Sequence, residues 1–159
     1  MFDLSNLNDY EFEILCKDIM QEKLGVKLFI FSRGVDAGVD ICDKEKNPTI
    51  MIQVKHYAGS TYSQLKSSLK KEVEKVHQHY PEKYFVCTSQ SLTRKNMLEI
   101  VEMFDQFMSN IFCVIDKNEI NSFLEDARNK DIVVKNYKLW LCASNVLSLV
   151  NNQDIFIDC

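Results

Sequence analysis

Asp40, Gln53 and Lys55 are the side chains of this sequence whose types and spacing best suit chemistry on a phosphate. They fall in one stretch, Arg33 to Lys55, which opens with the run RGVDAGVD. Gly34 and Gly38 are two of the four glycines in the chain, and glycine is used where a backbone turns tightly or must be approached closely. Asp36 and Asp40 flank Gly38. On a strand, Asp40 would point away from the face that Val39 and Ile41 bury. Further on, Ile50, Ile52 and Val54 alternate with Met51, Gln53 and Lys55. Period two therefore places Gln53 and Lys55 together and the aliphatic residues opposite. If these two strands pair as a hairpin, a carboxylate, an amide and an amine converge at one rim. Oxygen donors of that kind suit a hard cation such as Mg²⁺, which keeps several waters. A lysine beside it offers a compact positive charge to an attacking water or to charge developing on phosphorus.

The elements that must position these residues are legible in outline. Asn8 and Glu11 have capping-box spacing, with Leu7 and Phe12 as a hydrophobic staple. Phe12, Leu15, Cys16, Ile19 and Leu24 then recur at helical spacing, and Gly25 is the natural stop. Three strand-like runs follow, at 26–32, 39–43 and 49–56, with a turn over 43–48. A polar helix is predicted from about 62 to 80, a strand over 83–89 and a helix over about 92–108. A strand over 111–116 and a helix over 118–128 complete the pattern. The order α-β-β-β-α-β-α-β-α predicts an α/β domain with a mixed sheet flanked by helices. No repeat or linker interrupts it before about residue 130. Residues 137–150 have helical apolar spacing, and the terminal QDIFIDC reads as the start of a strand. We therefore expect a domain over 1–130 and an extension over 131–159, the latter a junction to a further domain.

The DAGVD turn, followed after twelve intervening residues by Gln53-Val54-Lys55, resembles the PD-(D/E)xK nuclease motif. More narrowly it is similar to the Mrr-type restriction endonucleases, whose middle acid is commonly Gln and whose first acid lies in a D-G-G-x-D turn. Those enzymes begin with a helix carrying an F-E pair, matched here by Phe12-Glu13. The resemblance covers about residues 5–116. It implies a restriction-endonuclease-like fold, an α-β-β-β-α-β core with added βα elements. It also implies a role for each residue: Asp40 as principal metal ligand, Gln53 at the second-acid position and Lys55 as catalytic lysine. Glu13 would assist the metal or water from the first helix. The backbone carbonyl of Val54 would join Asp40 and Gln53 around Mg²⁺, with Mn²⁺ as a substitute. Asp36 would be auxiliary, shaping the turn. Ala37 departs from the family, which often has Gly there.

A second resemblance concerns setting. Mrr-like domains occur as N-terminal effectors of antiviral STAND NTPases, and the segment NYKLWLCASNVLSLV is similar to the junction ahead of such a module. No G-x4-G-K-[ST] sequence is present, so an ATPase would lie outside these residues.

Charge sharpens the picture. The chain as a whole is acidic, at −4, which excludes a generally basic nucleic-acid coat. Residues 55–95 nevertheless hold eight Lys/Arg against three Glu, a net of +5, leaving −9 elsewhere. Lys66, Lys70 and Lys71 on the predicted helix, with Arg94 and Lys95, are the candidate contacts to a nucleic-acid backbone. The plainer alternative is a solvated helix face with local ion pairing. His77 and His79, two apart, do not share a helix face and read as solvated. His56 should point away from Lys55 and serve structure, and Trp140 should pack. Ser89, Ser91 and Thr93 read as a helix cap before a phosphate cradle.

Composition bounds the rest. The 159 residues are 46% hydrophobic and 26% charged, as in one ordinary globular domain. The six cysteines form no C-x2-C pair and mostly sit in apolar runs, so they read as buried thiols in a reducing compartment, without a zinc site. The acidic N-terminus lacks a signal pattern and no apolar run reaches membrane-spanning length, so a cytoplasmic protein without membrane partners is expected. The expected activity is Mg²⁺-dependent endonucleolytic hydrolysis of DNA, in restriction or antiviral defence. Two readings stand beside it: a catalytically silent DNA-binding or assembly module of the same fold, and a structure-specific resolvase or repair nuclease. Cutting both strands of a duplex needs two sites or two events, so a homodimer or higher oligomer fits the activity.

Overall fold

The computed structural model describes residues 1–31 and 41–139. Asp36 and Asp40 therefore lie outside the described residues. So do Trp140, the expected terminal strand and most of the expected 137–150 helix.

Among the described residues, five strands form one sheet in the order β1-β2-β3-β4-β5. They are β1 (Phe29–Ile30), β2 (Ile41–Cys42), β3 (Ile50–Lys55), β4 (Lys83–Thr88) and β5 (Val114–Ile115). The first two junctions are antiparallel, and Ile41 faces Ile52 across the expected β2–β3 hairpin. The junctions of β3 with β4 and of β4 with β5 are parallel. The sheet is thus mixed, as the meander followed by alternating units required.

The helices are α1 (Asp9–Leu24), α2 (Tyr62–Lys70), α3 (Val73–His79), α4 (Arg94–Phe104), α5 (Lys117–Glu125) and α6 (Lys130–Lys135). α1 begins at the Asn8–Glu11 capping box and ends at Gly25, whose φ of 65° no side chain adopts readily. Both ends follow from local chemistry. α2 packs on α4, while α6 packs on both α1 and α5, so helices cover both faces of the sheet. That explains why all of Ile50 to Val54 is buried, not only its alternate residues. The core joins Phe12, Leu15 and Ile19 of α1 to Ile52 and Val54 of β3, Tyr84 and Val86 of β4 and Ile100 of α4.

Several boundaries differ from the sequence expectation. Of the strand expected over 26–32, the described residues form only Phe29–Ile30. The strand expected over 111–116 begins as a 3₁₀ turn, Ile111–Cys113, and pairs only at Val114–Ile115. The helix expected over 62–80 breaks at Lys71–Glu72, where the Glu72 N–H donates to the Leu69 carbonyl at 2.9 Å, three residues back. Three-residue bonding tightens the last turn and redirects the chain. After α5 the chain makes a further 3₁₀ turn and then the short helix α6, which belongs to the same packed body.

Candidate active site

The parallel pairing of β3 with β4 decides where the site residues gather. Lys55 stands opposite Thr88, so both strands end at one rim, followed by Ser89 and Gln90 on one side and His56 and Tyr57 on the other. Carboxyl ends of parallel strands are where α/β sheets present ligand-binding groups. Gln53 and Lys55 share a strand face by period two. Gln53 is 5% exposed, which is unusual for an amide that serves only the surface.

Lys55 leaves the strand end and meets Glu72 at the break between α2 and α3. Its Nζ donates to Glu72 Oε1 at 3.3 Å, and the two side chains are only 13% and 10% exposed. Glu72 Oε2 accepts no hydrogen bond among the described residues and lies 3.9 Å from Lys75 Nζ. Sequence reasoning missed Glu72. In the sequence it is one of the three glutamates set against eight cations over 55–95, and the break that turns it inward has no Gly or Pro to announce it.

The His56 ring stacks on Phe12, with centroids 4.5 Å apart. Nε2 lies 2.6 Å from the Leu7 carbonyl, which can only accept, so Nε2 carries the proton. In the neutral ring Nδ1 then accepts from the Ser89 hydroxyl at 2.9 Å. This brace ties the start of α1 to the ends of β3 and β4. Glu13 follows Phe12 directly and is buried at 4% exposure. Gln90 fixes the other side of the rim, its amide donating to the Ser60 and Thr61 carbonyls at 2.9 and 3.0 Å. It holds the loop that leads from β3 into α2.

Thr93 caps α4 by accepting from the Asn96 N–H, and Ser91 accepts from Asn118, so these hydroxyls serve structure as the plainer reading held. Among the candidate cations, Lys66 turns toward α4 and pairs with Glu99 at 3.1 Å. Glu99 also accepts from the Tyr62 hydroxyl at 2.8 Å, and these two bonds hold its carboxyl below the usual range. Lys70, Lys71, Arg94 and Lys95 are exposed. Lys71 lines a polar groove of about 470 Å³ with Tyr57, Ser60, Ser63, Gln64, Ser67 and Ser68. That groove begins two residues beyond Lys55.

Cys16, Cys42, Cys87 and Cys113 are all buried. Burial pushes the Cys42 thiol up to about 11, and it donates to the Lys44 carbonyl. Among the described residues no three His, Cys, Asp or Glu side chains gather closely enough to hold a metal. Glu13, Gln53 and the Val54 carbonyl offer oxygen donors, and the expected ligand Asp40 lies outside the described residues. Their chemistry fits a small hard ion. Among the described residues no helix is long and apolar enough to cross a membrane.

Comparison with known proteins agrees with the mixed sheet flanked by helices. A family model described as a restriction endonuclease catalytic domain of the Mrr type matches residues 4–103. An uncharacterized protein, y4cD, of Sinorhizobium fredii is 28% identical over 149 residues. The match covers 94% of this chain but only 23% of that relative, so the chain spans under a quarter of its length. No solved structure matches.

Proposed function

Since the chain belongs to the Mrr-type restriction endonuclease family, we propose that it is a Mg²⁺-dependent endonuclease domain hydrolysing DNA phosphodiesters, acting in the cytoplasm in restriction or antiviral defence. The observation that carries the reading is the placement of Lys55. It stands at the carboxyl end of a central strand, beside buried Gln53, with its ammonium held by a buried carboxylate.

In this reading Asp40, Gln53 and the Val54 carbonyl hold the metal, with Glu13 assisting and Asp36 shaping the turn. When bound, Mg²⁺ or Mn²⁺ would polarise the phosphate and favour ionisation of a water. Lys55 directs its remaining N–H groups at the attacking water and at a non-bridging phosphate oxygen. It thereby offsets charge that grows as the water adds and the sugar oxygen leaves. The groove along α2 receives the strand beyond the scissile phosphate, with Lys70 and Lys71 facing the backbone and Arg94 and Lys95 contributing from α4. Pairing of two copies, and attachment to a STAND-type NTPase in a longer protein, belong to the same proposal. The domain over 1–130 would then be followed by a junction over 131–159.

The test is cleavage of supercoiled plasmid at low and high protein concentration, in Mg²⁺, Mn²⁺ and EDTA, by wild type and Asp40→Asn. Nicking or linearisation in either metal, absent in EDTA and in the variant, is the expected result. Salt-dependent DNA binding without scission in any metal would favour a silent binding module. Preference for a four-way junction over plain duplex would favour a resolvase.

A further inference from the structure

We propose that Glu72 is a positioning residue that sets the direction of the Lys55 ammonium for reaction, an inference that rests on the reading of Lys55 as the catalytic lysine. Lysine is a flexible four-carbon stem with a rotating head, poorly suited to aim a donor without a partner. Here the partner comes from a different element. The break after α2 brings Glu72 inward, and its Oε1 takes one Lys55 N–H at 3.3 Å. An ammonium has three N–H groups, so two remain for a water and a phosphate oxygen. The carboxylate makes no other hydrogen bond among the described residues.

Stability alone does not account for this pair. Two charges at 13% and 10% exposure lose most of their hydration, and apolar residues of similar volume generally hold such a place at least as well. The site is also selective in what it buries. Lys75, three residues along, is more exposed and lies beyond hydrogen-bond reach of Oε2, at 3.9 Å. Glu72 therefore serves Lys55, the one lysine at the strand end that adjoins Gln53.

Two readouts test the assignment on the full chain. One is single-turnover cleavage of a duplex oligonucleotide in Mg²⁺ by wild type, Glu72→Gln, Glu72→Asp, Lys55→Ala and Lys55→Ala/Glu72→Gln. The other is the rate at which acetic anhydride acylates Lys55, read from its peptide mass. Glu72→Gln should slow cleavage roughly 10- to 100-fold, the cost of a misplaced reacting group. Duplex affinity in Ca²⁺ should stay the same or tighten. Glu72→Asp should recover part of the rate, and it decides the matter if Glu72→Gln fails to fold by circular dichroism. The double variant should be no slower than Lys55→Ala, and Lys55 should acylate faster in Glu72→Gln. Wild-type rates in Glu72→Gln, or unchanged acylation of Lys55, would overturn this inference alone. Absence of cleavage by wild type in every metal would overturn the nuclease reading and this inference with it.

Discussion

The pair at the strand end and the pair on the far surface invert the usual ranking of ion pairs by distance. Arg128 and Asp126 meet at 2.7 Å, with Arg128 also bonding through Nε, whereas Lys55 and Glu72 are 3.3 Å apart. Yet Arg128 is 88% exposed, and Lys55 is 13% exposed. In water the short pair gains little over hydration and is screened by salt. At the buried pair, removal of either partner leaves a charge with little of its hydration and without its hydrogen-bonded partner. Burial, more than separation, therefore decides what a charge is worth here. The Lys66–Glu99 pair, half-buried and shared with Tyr62, stands between the two.

The comparison sets an order of expected effects. Lys55→Ala should destabilise the chain by about 3 kcal/mol, measured by urea denaturation, because Glu72 loses its hydrogen-bonded cation and keeps only the more distant and more exposed Lys75. Lys55→Met/Glu72→Leu, which removes both charges, should melt at or above wild type. If that double variant melted well below wild type, the view that the pair is not held for stability would fail. Glu99→Gln should lower the melting midpoint by less than Lys55→Ala. Its carboxyl is held low by the Tyr62 hydroxyl and Lys66, so the stabilisation is present above the ordinary carboxylate value. It is lost as pH falls through the lowered one, and wild type and variant should converge in acid. The smallest effect belongs to Arg128→Ala, which should leave the midpoint unchanged at neutral pH and moderate salt. Hydrogen bonds from Arg128 hold the Asp126 carboxyl at about 2, so any difference seen at low salt should fade from about pH 4 down to that value.

What sequence disclosed and what it concealed divide along the same physical line. The Asn8–Glu11 box and the Gly25 stop are made by residues three or four apart, and they stand where spacing places them. The pairing of β2 with β3 follows from two short apolar runs joined by a turn, which is also local. The Lys55–Glu72 contact spans seventeen positions and depends on a helix break fixed by packing, so neither residue announces it. The helix α6 was concealed for a similar reason: its short apolar set has meaning only against α1 and α5. The mixed sheet and the family were legible because the element order and the QVK motif are properties of the chain itself. Whether Lys66 points to solvent or to α4 is a property of the packed molecule.

The account turns on Lys55, and the most direct measurement removes its charge without stranding another. Supercoiled plasmid should be incubated in Mg²⁺ with wild type and with Lys55→Met/Glu72→Leu, beside EDTA controls, after both proteins are shown to melt cooperatively. The account predicts metal-dependent nicking or linearisation by wild type and none by the folded double variant. Cleavage by the double variant at the wild-type rate would contradict it.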